Sequence, residues 1–436
     1  MCGEDRENNN KNEIGNKNEI GNGKLRMRNK EEQAVRGGFY AVLRPQSLVL
    51  ILVVLLTGCA SNKTPDVLDF GIGPGVAADG QREIGHAVWP DAESGETPRY
   101  QYAGELWGEQ NFRPLGVGEV NWAERMVTAL RWLVGLDDSS YQPVTLHRPQ
   151  SGVVDLAGQR ILVTDIGRQA VYVFDQKGGR LDIWENATPS RRFVGPTGIA
   201  LGAASEVYVA DAEMGYVARL AHNGDSLGLI GQGELKRPVG LAFDAATQQL
   251  YVADTHAHDI KVFSAEGQLL RTLGTRGEGR GEYNFPTYLA LAQGELYVVD
   301  TMNARVQVVD AMTGESKRII GERGLNVGNL VRPKGVALDS QGNVYVVESY
   351  HDHLLVYNRN GDFLLPIGGA GTGTGQFNLP SGVWTDARDQ IFVSDMFNAR
   401  VAIFQFLGAT PPAGGTETSS PPVLPNAEAG SGSVMP

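Results

Sequence analysis

Four of the chain's seven histidines fall in two close pairs. His256 and His258 stand in "DTHAHDIKVF" (254 to 263), and His351 and His353 in "ESYHDHLL" (348 to 355). Neutral imidazoles are good ligands for zinc or copper, so two such pairs brought together would supply four nitrogens. Cysteine adds nothing to such a centre. Cys2 and Cys59 are the only two, which excludes a thiolate zinc site, an internal disulfide framework and a CxxCH haem attachment. The glycine-rich runs "GEGRGEYNFP" (277 to 286) and "GTGTGQFNLP" (371 to 380) join strand to strand. A phosphate cradle needs a helix N-terminus next, so both read as connectors. With a formal charge of −12, the chain lacks the concentrated basic surface that non-specific nucleic-acid binding needs.

Cys59 closes the stretch "LVLILVVLLTGCAS" (48 to 61), which follows Arg36 and Arg44. The apolar run is too short to span a bilayer as a mature helix but suits a signal-peptide core. Leu56-Thr57-Gly58-Cys59 resembles the bacterial lipobox, which implies cleavage before a lipid-modified Cys59. Its acyl chains exceed the two lipid signals that stable anchoring takes. Ala60 after the cysteine implies an outer-membrane lipoprotein of the bacterial envelope, facing the periplasm or the surface. The tandem hexapeptide "KNEIGNKNEIGN" (11 to 22) cannot bury a core and reads as a disordered extension. A start at Met27 instead of Met1 would leave an ordinary n-region.

The elements that must position the histidines come from repetition. A strand ending in an acid recurs as ILVTD, VYVAD, LYVAD, LYVVD, VYVVE and IFVSD, closing at Asp165, Asp211, Asp254, Asp300, Glu348 and Asp395. The steps are roughly 43 to 48 residues, a blade-sized period. A proline-led strand precedes each, starting at Pro149, Pro196, Pro238, Pro286, Pro333 and Pro380. A third strand, a Gly turn and a fourth strand follow. Four short β-branched strands per period read as propeller blades, and no helical pattern alternates with them. The phrases "RPKGVALDSQGNVYVVES" and "DTMNARVQVVD" resemble the NHL repeat. Six in-phase copies imply an all-β fold, a six-bladed NHL-type β-propeller of four-stranded antiparallel blades.

Blade six lacks a fourth strand, because a Gly/Pro/Ser/Thr tail (408 to 436) follows "IFQFLG". Since an open edge invites aggregation, "PRYQYAGELWG" (98 to 108) is expected to close the ring from the N-terminal side. The organisation is therefore an extension and signal peptide (1 to 58), lipidated Cys59 with a flexible tether (59 to 97), and a closing strand with an accessory helix (98 to 148). The propeller (149 to 407) and a disordered tail complete it. The helix is read from "NWAERMVTALRWLVGL" (121 to 136), where Asn121 and Glu124 form a capping box ahead of one apolar face.

Placed on the repeat, the histidines occupy loops between strands two and three. His256 and His258 fill the slots of Met302 and Ala304, whereas His351 and His353 fill those of Asn303 and Arg305. Unequal slots on non-adjacent blades argue for loop variation, so no cofactor is expected and a divalent metal there is the lesser reading. The six acids share one slot and read as structural. Asp300 and Asp395 each have an arginine five residues on, Arg305 and Arg400, to close the turn. At the channel mouth the slot after the proline holds Gln150, Thr197, Val239, Thr287, Lys334 and Ser381, and the next holds Ser151, Gly198, Gly240, Tyr288, Gly335 and Gly382. Small residues let six inner strands crowd the axis. Tyr288 and Lys334 break that pattern on neighbouring blades, and with the four histidines they mark the expected binding face. Replacing Tyr288 by Gly and Lys334 by Ala is expected to weaken partner capture at little cost in stability.

The leading reading is a membrane-anchored, monomeric, non-catalytic scaffold that binds a protein or an envelope polymer and no nucleic acid. Two other classes compete. One is a metal-dependent lyase or hydrolase at the channel mouth, as architectures similar to the amidating lyase and lactonase-like propellers imply. The other is an accessory subunit of an envelope electron-transfer complex.

Overall fold

The computed structural model of the protein describes residues 66–70, 87–113 and 142–408. Cys59, the apolar run before it, the expected helix at 121 to 136 and the tail from 409 lie outside them. The described residues form a six-bladed propeller whose blades are meandering antiparallel sheets. Blade 4 shows the pattern, with Pro286–Ala292 innermost, then Glu295–Asp300, Arg305–Asp310 and Ser316–Ile320 outward. Neighbouring innermost strands touch in sequence, and Pro380–Thr385 meets Pro149–Asp155 to complete the circle.

Alternation explains the packing. Strand residues point to either side of their blade, so each blade offers an apolar face to both neighbours. The core is accordingly six separate seams. In one, Tyr297, Val299 and Val308 of blade 4 pack on Val344, Val346 and Tyr357 of blade 5. Opposite Pro286 stands Asp300, and opposite Pro149 stands Asp165. Each innermost strand therefore begins where its neighbour ends, on the face named here the upper face. One extra residue is inserted just after each proline. Such a bulge bends the strand and re-aims its side chains.

Blade 6 is completed from the N-terminal side. Tyr100–Leu106 pairs antiparallel with Arg400–Phe406, Tyr100 opposite Phe406 and Leu106 opposite Val401. A fifth strand, Val88–Trp89, pairs outside it. That strand falls in the stretch expected as a flexible tether, as does Val67–Leu68, which pairs with Phe112–Arg113. Composition hid the pairing, because Gly, Pro and Asp surround only two apolar residues. Trp89 packs edge-on against Phe404 at 5.3 Å.

The closing strand also carries a buried charge. Glu105 receives Arg400 Nη1 at 2.9 Å, and Arg400 Nε bonds Asp395 at 2.8 Å, with all three side chains almost wholly buried. Trp107 Nε1 adds a bond to Glu105 at 2.7 Å. One arginine thus ties two strands of blade 6 to the strand that closes it.

Candidate functional site

The six acids hold the upper face together. Asp165 accepts from the backbone N–H groups of His147 at 2.6 Å and Arg148 at 3.0 Å. Asp211 does the same for Val194 and Gly195, and Asp254 for Lys236 and Arg237. Asp300, Glu348 and Asp395 each take one such donor, from Asn284, Arg332 and Asn378. Every one is fully buried. Each acid pins the residues that lead into its own innermost strand, which accounts for six copies without a ligand. Arg305 and Arg400 pair with Asp300 and Asp395 at 2.8 Å. Blade 3 reaches the same end differently, because Lys261, seven residues on, bonds Asp254 at 3.1 Å.

The histidines divide between these cages and the loops around them. His351 Nδ1 meets Glu348 at 3.0 Å, doing for blade 5 what Asn303 does for Asp300 at 2.8 Å. His258 is buried, accepts the Phe285 N–H at 3.2 Å through Nδ1, and lies edge-on to that ring at 4.5 Å. Burial, then the charges of Arg276, His256 and Lys236, push its pKa below the ordinary histidine value. His256 is exposed in its loop, but His353 does not lie in a loop as expected: half-buried, it opens the third strand of blade 5, paired with Glu348. Among the described residues no three metal-binding side chains gather at one point.

The channel mouth shows why small residues ring the axis. A Cβ on Gly198 would stand 2.1 Å from the Val239 carbonyl oxygen, and one on Gly382 would stand 2.3 Å from that of Gln150. Two blades depart from glycine, blade 1 with Ser151 and blade 4 with Tyr288, and they face each other across the ring. The Tyr288 hydroxyl donates to the Gln150 carbonyl of blade 1 at 3.1 Å and lies 3.3 Å from Ser381 Oγ of blade 6. Burial pushes its pKa up to about 12, so it stays a neutral donor. Tyr288 is therefore a cross-brace that bars the channel. The expectation that Gly could replace it without loss of stability does not fit a buried, bonded ring.

Lys334 lies beside this bar. It shares its slot with Ser381 and Gln150 of the next two blades. Ser381 Oγ donates to Gln150 Oε1 at 3.3 Å, while Gln150 Nε2 is left with the Met396 sulfur at 3.0 Å and the Pro149 carbonyl at 3.5 Å. The Lys334 ammonium has no hydrogen-bond or ion-pair partner among the described residues. Desolvation, then Arg332, lowers its pKa.

Around the mouth the loop tips present an apolar arc. His256, Met302, Tyr350 and Phe397 fill one slot in blades 3 to 6, and the last three are 54%, 58% and 53% exposed. Arg148 lies over Phe397 at 5.9 Å. The arc is visible in the sequence only once "DTMNAR" and "DMFNAR" are superposed as one loop. A separate concavity of about 450 Å³ lies between the outer parts of blades 1 and 2, where Arg160 pairs with Asp155 and Arg180 with Asp182. Nearby, Gly224-Asp225-Ser226-Leu227-Gly228 has the spacing of a nucleophile elbow, but Ser226 opens a fourth strand and no helix follows.

Fold and site together define the class, a β-propeller with six acid-clamped blades and a barred channel. Within that class the NHL repeat matches residues 235–263, which span most of blade 3 of the six-bladed propeller. The chain is 26% identical to protein brain tumor of Drosophila melanogaster over 139 residues, 31% of this chain. It is 31% identical to the human E3 ubiquitin-protein ligase TRIM32 over 103 residues, 21% of this chain. It spans 13% and 16% of the lengths of those two relatives. Among solved structures, a gluconolactonase from Xanthomonas campestris aligns at a TM-score of 0.47 and 15% identity, covering 60% of this chain and 86% of that one.

Proposed function

We propose that the protein is a lipid-anchored scaffold of the bacterial envelope whose upper face binds a protein partner without chemistry. One observation carries the reading: three large apolar side chains, Met302, Tyr350 and Phe397, stand more than half exposed in one slot of consecutive blades. Scattered exposed hydrophobics are ordinary, but an arc on one face around a cationic mouth has the composition of an interface core with its rim. The acids that could have served a reaction are occupied in holding connectors, which supports recognition over catalysis. Anchoring rests on the lipobox-like Leu56-Thr57-Gly58-Cys59.

The test is capture. A variant with Met302, Tyr350 and Phe397 all changed to Ser should keep the melting temperature of the parent and lose the proteins that the parent retains from envelope extracts. Undiminished capture by the triple variant would move recognition off this face. Intact-mass measurement should find the mature chain starting at Cys59 with added acyl mass, and Cys59→Ala should release it from membranes. An uncleaved, unmodified chain would remove the anchor from the proposal.

A further inference from the structure

The upper face holds one charge that the fold does not explain. Buried cations elsewhere in the molecule have acids: Lys261 has Asp254 and Asp259, and Arg400 has Glu105 and Asp395. Lys334, half-buried, has neither acid nor carbonyl partner among the described residues, and desolvation there disfavours its charged form. An ammonium without a partner in such a place costs stability, and perturbed groups of that kind cluster at functional sites. In the same slot two blades on, around a ring narrow enough for Tyr288 to span, Gln150 Nε2 has only a thioether, a weak acceptor, at 3.0 Å and a carbonyl 3.5 Å away. Tyr288 closes the channel below, so whatever enters from the upper face stops at this level.

We infer that the channel mouth is a carboxylate-binding site, in which Lys334 and the Gln150 amide hold one carboxylate group above the Tyr288 bar. The inference rests on the upper-face reading and adds the chemistry of what arrives there: an acidic side chain or chain terminus of the partner, or a free small carboxylic acid. One ammonium balances one negative charge, and a charge-assisted bond plus an amide N–H match the two oxygens of a carboxylate. A phosphate would bring a second charge into a mouth with one such cation, because Arg148 and Arg332 lie exposed at the rim.

Titration of the full-length protein with succinate, with an N-acetylated, C-amidated glutamate peptide, and with the neutral succinamide tests this. The two carboxylates should bind saturably and raise the melting temperature, and succinamide should do neither. Lys334→Met should bind them at least tenfold more weakly while melting no lower than the parent, since it removes an unpartnered charge. Lys334→Gln serves if the methionine variant does not fold. Equal binding of succinate and the glutamate peptide would mark a site for the bare group, and preference for the peptide would mark a partner's side chain. Unchanged binding in the lysine variants, tighter binding of inorganic phosphate, or no saturable binding of either carboxylate would overturn the inference. Those results would leave capture by the Met302, Tyr350 and Phe397 arc untouched, so the two readings fail separately.

Discussion

The Tyr288 hydroxyl of blade 4 donates to the Gln150 carbonyl of blade 1, 3.1 Å away on the opposite side of the ring. No other bond described in the molecule joins blades three apart, and it replaces with one side chain the glycine found in four of the six blades. Tyr288→Phe keeps the ring and loses the donor, so it should cost about 0.5–1.5 kcal/mol. Tyr288→Gly also removes a buried ring and should cost about 3–5 kcal/mol, the range for a lost buried aromatic. Denaturant melts of both variants give the comparison, and equal midpoints would mean that the bar carries no load.

Glu105 should matter as much as any apolar core residue of blade 6. Glu105→Ala leaves the buried Arg400 with Asp395 as its one acid, and breaking a buried pair by removing one partner costs about 3–5 kcal/mol. Arg400→Lys should not rescue the geometry, because a single ammonium cannot reach both acids and two carbonyls as the guanidinium fork does. Thermal unfolding monitored by near-ultraviolet circular dichroism reads this out. A Glu105→Ala variant melting with the parent would show that the closure does not depend on the charge.

Two truncations separate the closing strands. Removal of residues 60 to 97 deletes Val88–Trp89 and should lower the melting temperature while leaving a folded ring. Removal of 60 to 110 also deletes Tyr100–Leu106, exposing the edge of Arg400–Phe406, and should give aggregation. Light scattering alongside the melt distinguishes the two, and identical behaviour would refute closure by this strand.

Acid should loosen the upper face through His258. Its native pKa lies below the usual 6.5, chiefly because the ring is buried. As pH falls through that value the unfolded chain takes up a proton that the native ring resists, so stability drops toward the lower native pKa. Asn tolerates the left-handed backbone at this position, where φ is 60°. His258→Asn should therefore flatten the slope of stability against pH below neutrality. A slope unchanged by the substitution would place the titration elsewhere.

Much of this architecture was legible because the fold writes the same instruction six times. An acid that must pin the entry of each inner strand recurs wherever the second strand ends, and the missing strand of blade 6 pointed to the stretch 98 to 108, within which Tyr100–Leu106 is its donor. What the repeat conveys is a slot, not a reach. Nothing in "PTYLALA" says that a tyrosine would span the axis, because that depends on how closely six strands approach one another. Lys261 was hidden for a related reason, since it satisfies Asp254 from the slot two beyond the one where Arg305 and Arg400 stand. Val88–Trp89 went unseen because two residues carry no period. Three of the four histidines lie in the loops where the repeat placed them, whereas His353 opens the third strand opposite Glu348, and His351 proves to do an asparagine's task.

The pairing of Tyr100 with Phe406 also sets the order in which the chain can finish folding. Blades built from local hairpins can form as they emerge, but the strand made before all of them must wait for the strand made last. Contacts of such long sequence separation are slow to form, and an unsatisfied edge stays open until they do. Once made, the latch has the opposite effect. Peeling any single blade away requires the circle to break first, so the assembled ring should unfold as one unit and slowly, with lifetime set by the opening of that final pair of strands.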